Sequence, residues 1–230
     1  MEEMHIRKGD RVHRIYVLRH TLDGGGTSSL QSEIPQQIVV EGNARADVVL
    51  LVFPGISADI KLDVHLVGEG AEANVYGAYV CGGEEKVKIA VDMYHDEPHC
   101  NSRQLFKGIA GGVSKVDFYG KIIVAQDAQR TEAYQENHNI LLTDGAKVDT
   151  KPQLEIYADD VKCSHGATIG RLNEEEQFYM RSRGISLEDA KVLQMISFIA
   201  PVLEHVEDET QRDALTARIE SEIRNIIRNI

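Results

Sequence analysis

Hydrophobic residues in the first two thirds of the chain occur in short segments separated by Gly, Asn and Asp. Short segments of this kind, rich in branched residues and bounded by turn residues, are typical of β-strands. The predicted strands are Arg11–Leu22, Ile38–Val40, Val48–Val52, Ile60–Leu66 and Val87–Val91. Between residues 37 and 149 almost no helical periodicity is present, so the pattern predicts a mainly β structure for this part of the chain.

A weak internal repeat suggests how these strands are arranged. Four small or apolar residues recur after 27 positions: Val40, Ala44, Ala46 and Val48 are followed by Val67, Ala71, Ala73 and Val75. Such a period is expected of a β-solenoid, in which each coil covers the next. A β-sandwich also has short strands and frequent turns, and the pattern alone leaves it open.

Helical periodicity begins after Gly170. Residues 174–183 favour a helix that Gly184 would end. Ser186, with an acidic residue three positions later, is typical of the start of a second helix. Pro201 predicts a kink or break near Ser197–Ala200, and a further amphipathic helix is predicted from Leu215 to Ile230. We therefore divide the chain into a strand-rich core, residues 1–172, and a helical segment, residues 173–230.

The apolar stripe of the helical segment allows two interpretations. The stripe packs on the strands, or it offers a surface to another protein, as amphipathic helices often do. We predict partner docking at four residues of the stripe: Val192, Ile196, Ile199 and Leu203.

Composition and charge narrow the possible functions. The net charge of −12 argues against a general binder of nucleic acid or anionic membranes. No apolar run reaches the length of about 18 residues that a membrane span needs, and residues 1–9 do not resemble a secretory signal. The triple glycine at 24–26 is interpreted as a turn, since no phosphate-loop lysine follows it. Three widely spaced cysteines form no disulfide framework, so a cytoplasmic location is expected.

Cys163 and His165 are the main candidates for chemistry. Residues two apart on a strand point to the same face, and thiol and imidazole groups suit zinc, copper or iron–sulfur chemistry. Two ligands do not complete a site, but a two-fold axis would supply two thiolates and two imidazoles. The alternative is that Cys163 fills space and His165 is a structural residue. His99 and Cys100 are a weaker candidate pair.

The preceding segment predicts a change of direction. From Leu154 the apolar residues occupy even positions, whereas Val161, Cys163 and His165 occupy odd positions. A bend or bulge at Asp159–Asp160 would produce this change of face.

A long series of motifs between His95 and Phe198 resembles the SufB/SufD family, the scaffold subunits of the SUF iron–sulfur cluster assembly machinery. The matching segments are His95–His99, Lys107–Gly108, Gly120–Ile122, Ala128–Gln135, Leu141–Leu142, Lys151–Ile156, Ala158–Thr168 and Phe178–Ile185. Cys163 and His165 together resemble SufD. The helical N-terminal domain common in the family is not predicted for this chain.

This resemblance implies a right-handed parallel β-helix with C-terminal α-helices. It further implies a non-enzymatic scaffold that builds or transfers nascent clusters, with iron or an iron–sulfur cluster held transiently near Cys163 and His165 at a subunit interface. The β-helix would pair with a second copy or with a SufB-like paralogue. The C-terminal helices would dock a SufC-like ABC ATPase, which would supply ATP hydrolysis.

Two other functions are compatible with such a fold. A carbohydrate-active β-helix enzyme would need sugar-stacking aromatic residues, of which the chain has few: 6% in total and no tryptophan. A purely structural dimerisation module would keep the solenoid and the helices without binding a metal.

Overall fold

The computed structural model describes residues 3–19 and 33–229, and the glycine triplet at 24–26 lies outside them. Most of the described residues belong to strands or helices. The strands are β1 (Glu3–Ile6), β2 (Arg11–Leu18), β3 (Gln37–Val40), β4 (Arg45–Val52), β5 (Ala58–Leu66), β6 (Glu72–Cys81), β7 (Lys86–His95), β8 (Asn101–Ala110), β9 (Lys115–Val124), β10 (Glu132–Leu141), β11 (Lys147–Ile156) and β12 (Lys162–Gly170). The helices are α1 (Glu174–Ser182), α2 (Leu187–Leu203) and α3 (Glu209–Asn229).

Within the described residues the strands form two six-stranded sheets and alternate between them along the chain. The first sheet has the order β1-β3-β5-β7-β9-β11, and the second has the order β12-β10-β8-β6-β4-β2. All neighbouring strands are parallel. Two successive strands therefore make one coil of a solenoid, which confirms the predicted fold class and excludes an antiparallel sandwich.

The repeat in the sequence corresponds to one coil. Ala46 pairs with Ala73 and Val48 pairs with Val75, so the offset of 27 residues joins stacked positions on β4 and β6. The small residues Ala44 and Ala71 occupy the corner before these strands, where Glu72 N donates to Ala44 O at 2.9 Å.

Every second residue of a strand points into the solenoid. In β5 the buried side chains are Ala58, Ile60, Leu62, Val64 and Leu66, which stack on the equivalent positions of β7. The outward side chains of the first sheet are mostly charged and face solvent. This sheet therefore shows the alternation expected of strands with one buried face.

The second sheet is buried on both faces where α2 and α3 cover it. Its outward residues, among them Val49 and Leu51, form a second hydrophobic cluster with Val192, Ile199 and Ile223 of the helices. Strands covered on both faces read as continuous hydrophobic runs, which explains the run Val48–Val52.

Local capping signals fix the helix ends. Asn173 caps α1 through its side chain, Gly184 follows with a φ of +87°, and Ser186 Oγ accepts from Asp189 N at 3.0 Å. The pattern predicts a kink or break near Ser197–Ala200, and the break does not occur: α2 continues through Pro201 to Leu203. Pro201 has no N–H to donate to the Ser197 carbonyl, and the helix tolerates this loss.

We also compared the helices with the dimensions of a bilayer. None of those in the described ranges is both long and apolar enough to cross a membrane.

Candidate metal site at the open end of the solenoid

The solenoid ends at β11 and β12, the outermost strands of the two sheets. Each of them pairs with one neighbour, β9 and β10 respectively, and within residues 3–19 and 33–229 no further strand follows. Apolar side chains are exposed on and beside these strands: Ile156 is 38% exposed, Tyr157 63% and Ile169 46%. We call the surface formed by β11, β12 and the corner between them the open end.

Cys163 and His165 both lie on β12 at the open end. The register pairs Cys163 with Ala133 and His165 with Gln135, and these two residues of β10 are buried in the solenoid. Both candidate ligands therefore occupy inward positions of one strand, as the spacing predicts. The predicted bend at Asp159–Asp160 is the corner where the chain leaves the first sheet and enters the second.

The two side chains differ in their surroundings. Cys163 is half-buried and packs against the interior cluster. Burial raises the pKa of its thiol, although the nearby backbone N–H of Ala133 acts in the opposite direction. His165 is exposed, because no further coil covers it. A thiolate is the form that binds metal, so metal binding at Cys163 would release a proton into the solvent at the open end.

One chain supplies only part of a metal site here. Among the described residues, no group of three or more His, Cys, Asp or Glu side chains is arranged to hold a metal ion. A closed zinc site needs four ligands, so a metal ion at Cys163 and His165 would need further donors from a second chain, from sulfide or from solvent.

Amide side chains lie directly beneath the open end. Gln135, Asn137 and Asn139 are the buried inward residues of β10, and we call them the amide layer. Gln135 Nε2 donates to Gln104 Oε1 on β8 at 2.9 Å, and Asn139 Nδ2 donates to Asn137 Oδ1 at 2.7 Å. Sequence analysis missed this layer, although the alternation Gln-x-Asn-x-Asn in a predicted β region is a signal for it.

The amide layer also involves the previous coils. The hydroxyl of Tyr79 donates to Asn139 Oδ1, and Asn137 Nδ2 donates to the Tyr79 hydroxyl at 3.4 Å. Burial raises the pKa of Tyr79 far above its usual range, so this hydroxyl stays protonated and remains a donor.

The structure does not bring the weaker candidate pair to the open end. Cys100 is fully buried at a corner, in the position that Ala71 fills one coil earlier and Thr131 one coil later. Its Sγ lies 3.4 Å from Gly68 O, and burial raises its thiol pKa to about 11. His99 is exposed on the adjacent turn, with a φ of 59°. Cys100 therefore fills the corner and is a poor metal ligand.

The four predicted docking residues are positioned against the solenoid instead of solvent. Val192, Ile199 and Leu203 are at most 3% exposed and pack on the second sheet, and Ile196 is half-buried at the same contact. A partner therefore cannot contact the three buried side chains unless α2 moves. Partner docking at these four residues stays a prediction. Sequence periodicity identifies an apolar stripe but does not show what covers it.

The exposed apolar residues of the helical segment lie on and near α1. Phe178 is 73% exposed, Tyr179 59% and Leu193 48%. α1 borders a groove of about 780 Å³, lined also by Phe198 of α2 and Ile140 of β10. This groove and the aromatic residues of α1 form the exposed apolar surface of the helical segment.

Comparison with known proteins identifies the family of this chain. Residues 25–198 match the family described as SUF system FeS cluster assembly, SufBD core domain. The chain is 50% identical over 127 residues to the iron–sulfur cluster assembly protein SufD of Escherichia coli, covering 55% of this chain and 30% of that protein. It is 30% identical over 183 residues to a SufBD family protein of Mycobacterium leprae, covering 76% of this chain and 47% of the relative.

A further relative extends the similarity to cyanobacteria. An iron–sulfur cluster assembly SufBD family protein of Synechocystis is 44% identical over 111 residues, which cover 48% of this chain and 24% of the relative. The chain thus spans less than half the length of these curated relatives. Because the family match covers most of the described solenoid and its first helices, this chain belongs to the SufBD core family.

Proposed function

We propose that the chain is a non-enzymatic scaffold subunit of an iron–sulfur cluster assembly complex, acting in the cytoplasm. The observation that carries the proposal is the position of Cys163 and His165, inward on the last strand and accessible at the open end. Relatives named for iron–sulfur cluster assembly support the class of cargo. Iron, or a nascent cluster, is cargo here and is held transiently.

The proposed geometry requires a second subunit at the open end. A two-fold axis near Cys163 and His165 would provide two thiolates and two imidazoles, which complete a four-coordinate site. The exposed Ile156, Tyr157 and Ile169 would be buried in the same interface. The second subunit is another copy of this chain or a SufB-like paralogue.

The helical segment has a separate role in this proposal. Residues 1–172 form the core that presents the cargo site, and residues 173–230 dock a SufC-like ABC ATPase that hydrolyses ATP. Because Val192, Ile199 and Leu203 are buried within the chain, docking would use the exposed Phe178 and Tyr179 and the groove beside α1.

Anaerobic reconstitution with iron and sulfide tests the cargo site. Cys163→Ser and His165→Asn should each lower bound iron and sulfide, and the double variant should abolish uptake. Cys100→Ala is the matched control, because it removes a cysteine and restores the alanine found at this corner in the previous coil. Unchanged loading of the double variant would reject the proposal.

Co-purification with the ATPase tests the docking surface. Phe178→Asp should lose the ATPase while leaving the solenoid folded, since the side chain is mostly exposed. Asp117→Ala, on the opposite face of the solenoid, is the control and should retain the ATPase. Retention of the ATPase by Phe178→Asp would contradict the assigned surface.

A further inference from the structure

One interior column of the solenoid changes from apolar to polar as it approaches the open end. From β4 to β12 the register stacks five inward residues of the second sheet in order: Val48, Val75, Gln104, Gln135 and His165. Gln104 is 0% exposed and Gln135 is 1% exposed. Burying an amide is unfavourable unless its hydrogen bonds are satisfied. The change from valine in the earlier coils to glutamine in the later coils of this column therefore needs an explanation.

The hydrogen bonds of the two amides are incomplete. Gln135 Nε2 donates to Gln104 Oε1 at 2.9 Å. Gln135 Oε1 has no partner, and neither does Gln104 Nε2. A buried acceptor without a donor costs about 1–3 kcal/mol. The next residue of the column towards the open end is His165, whose ring nitrogens are potential donors.

The opposite sheet leaves room for the Gln135 carboxamide. Gly120 faces it across the interior, and a Cβ at Gly120 would lie 2.0 Å from Gln135 Nε2 and 2.7 Å from its Cδ. The equivalent inward position on the adjacent strands is Val91 on β7 and Pro152 on β11. The missing side chain at Gly120 therefore accommodates the Gln135 carboxamide one coil beneath His165.

We propose that Gln135 is a positioning residue, which accepts a hydrogen bond from a ring N–H of His165 through its unpartnered Oε1. Neighbouring strands of a sheet lie about 4.7–4.9 Å apart, so His165 and Gln135, which are in register, can form this contact once the imidazole turns towards the interior. The bond fixes one tautomer, so the other ring nitrogen keeps its lone pair for a ligand at the open end. Gln104 in turn orients the Gln135 amide.

The consequence for metal binding rests on the proposed function. Histidine ligands usually donate their second ring N–H to an acceptor, and loss of that acceptor lowers metal affinity about 10–100-fold. Gln135 would in this way raise the affinity of His165 for the metal without contacting the metal itself.

The hydrogen bond is tested on the metal-free chain by long-range ¹H–¹⁵N NMR of the histidine rings, with His165→Asn used to assign the His165 signals. The wild-type chain should show one tautomer and a ring N–H that exchanges slowly with water. Gln135→Met, which keeps the length of the side chain but removes the acceptor, should give mixed tautomers.

Asn137→Leu is the matched control, since it removes a buried amide from the same strand at the position paired with Ala167. It should leave the His165 tautomer unchanged. A ring N–H that exchanges as fast as free imidazole in the wild-type chain overturns the proposal without any variant. So does a tautomer ratio that is the same in Gln135→Met and the wild type.

Titration with Co²⁺, followed by its absorption spectrum, tests the consequence. Gln135→Met should bind Co²⁺ about 10–100-fold more weakly than the wild type and Asn137→Leu. If Cys163→Ser and His165→Asn leave Co²⁺ binding unchanged, the metal role of the pair fails, whereas a tautomer that depends on Gln135 still supports the hydrogen bond. If His165→Asn weakens binding but Gln135→Met does not, the positioning role is rejected.

Discussion

The early and late coils of the solenoid share a backbone arrangement but differ in what fills them. In β4 the inward residues are Ala46, Val48, Leu50 and Val52, all apolar. In β10 they are Ala133, Leu141 and the three polar residues of the amide layer. Apolar filling stabilises a coil through burial, whereas buried amides require specific partners. The late coil is therefore stabilised less by apolar burial, and it carries polar groups directly beneath the candidate metal site.

The largest effect that distinguishes the two regions is expected at an early inward residue. Leu50 is 1% exposed, and Leu50→Ala should lower the free energy of unfolding by about 2–5 kcal/mol. At the open end Ile169→Ala, at a residue 46% exposed, should cost well under half as much. Denaturant unfolding followed by circular dichroism measures both. Equal losses would show that the end strand is as tightly packed as the early coils.

The next effect concerns a polar group that stands in an otherwise apolar column. His95 is fully buried between Leu66 and Val124, and its ring shares a hydrogen bond of 2.8 Å with Ser102. Burial lowers the pKa of His95 to about 4 from 6.5. Between these values the unfolded chain binds more protons, so stability is lost as the pH falls from 6.5 towards 4, by roughly 3 kcal/mol in total.

His95→Leu, which places the residue of the previous coil at this position, should remove that part of the pH dependence. The measurement is the free energy of unfolding at pH 7 and at pH 4.5 for both chains. A variant that loses as much stability between these values as the wild type would show that the acid sensitivity arises elsewhere.

A smaller effect is expected where the amide layer meets the opposite sheet. A Cβ at Gly120 would lie 2.0 Å from Gln135 Nε2, so Gly120→Ala should cost about 1–3 kcal/mol through overpacking. Combining it with Gln135→Ala should cost less than the sum of the single changes, because both act on the same contact. Gly166→Ala, with no atom within 4 Å of the added Cβ, is the neutral control in unfolding experiments. Additive losses would disprove the contact.

The smallest effect is expected at the surface of the last strand. Lys162 and Glu132 form an ion pair of 2.7 Å, with side chains 73% and 42% exposed. Exposed pairs contribute about 0–1 kcal/mol, so Lys162→Ala should scarcely change unfolding, even though the pair joins β12 to β10. A loss comparable to that of Gly120→Ala would indicate that the pair holds the end strand in place.

The sequence predicts the fold better than it predicts the number of coils. The offset of 27 is visible because stacked positions of β4 and β6 carry the same residues, Ala46 with Ala73 and Val48 with Val75. Later coils contain different numbers of residues. Glu72 pairs with Asn101, and Asn101 pairs with Glu132 on β10, so neither of these offsets equals 27 and the two also differ from each other. Corners of variable length change the period from coil to coil, so simple periodicity fails after the first repeat.

Three cysteines show what a sequence cannot reveal about a site. Cys81 and Cys100 are buried, whereas Cys163 is half-buried at the open end. The difference lies in the coil to which each residue belongs and in whether another coil covers it. The burial of each cysteine therefore depends on pairing between strands that are far apart in the sequence, and a local sequence pattern does not predict this pairing. Among the three cysteines Cys163 lies at the open end, and its metal role stays a prediction.

The contact made by the helical stripe was not predictable for a related reason. Val192 and Ile199 show the period of an amphipathic helix, but periodicity identifies an apolar face without identifying its partner. The hydrophobic run Val48–Val52 already contained the missing information, because a strand that is apolar on both faces needs a cover on its outer side.

The unpaired edges of the solenoid determine how this chain can assemble. Among the described residues β1 and β2 form the outer edge at one end, and β11 and β12 form it at the other. Unpaired edges are templates for additional strands. When two like ends pair about a two-fold axis, both of these ends are covered and no further chain can add to them. In head-to-tail stacking every added chain exposes a new free end, so the assembly grows into a filament. Occupation of the open end by a second subunit, as proposed above, would therefore also protect the chain against polymerisation.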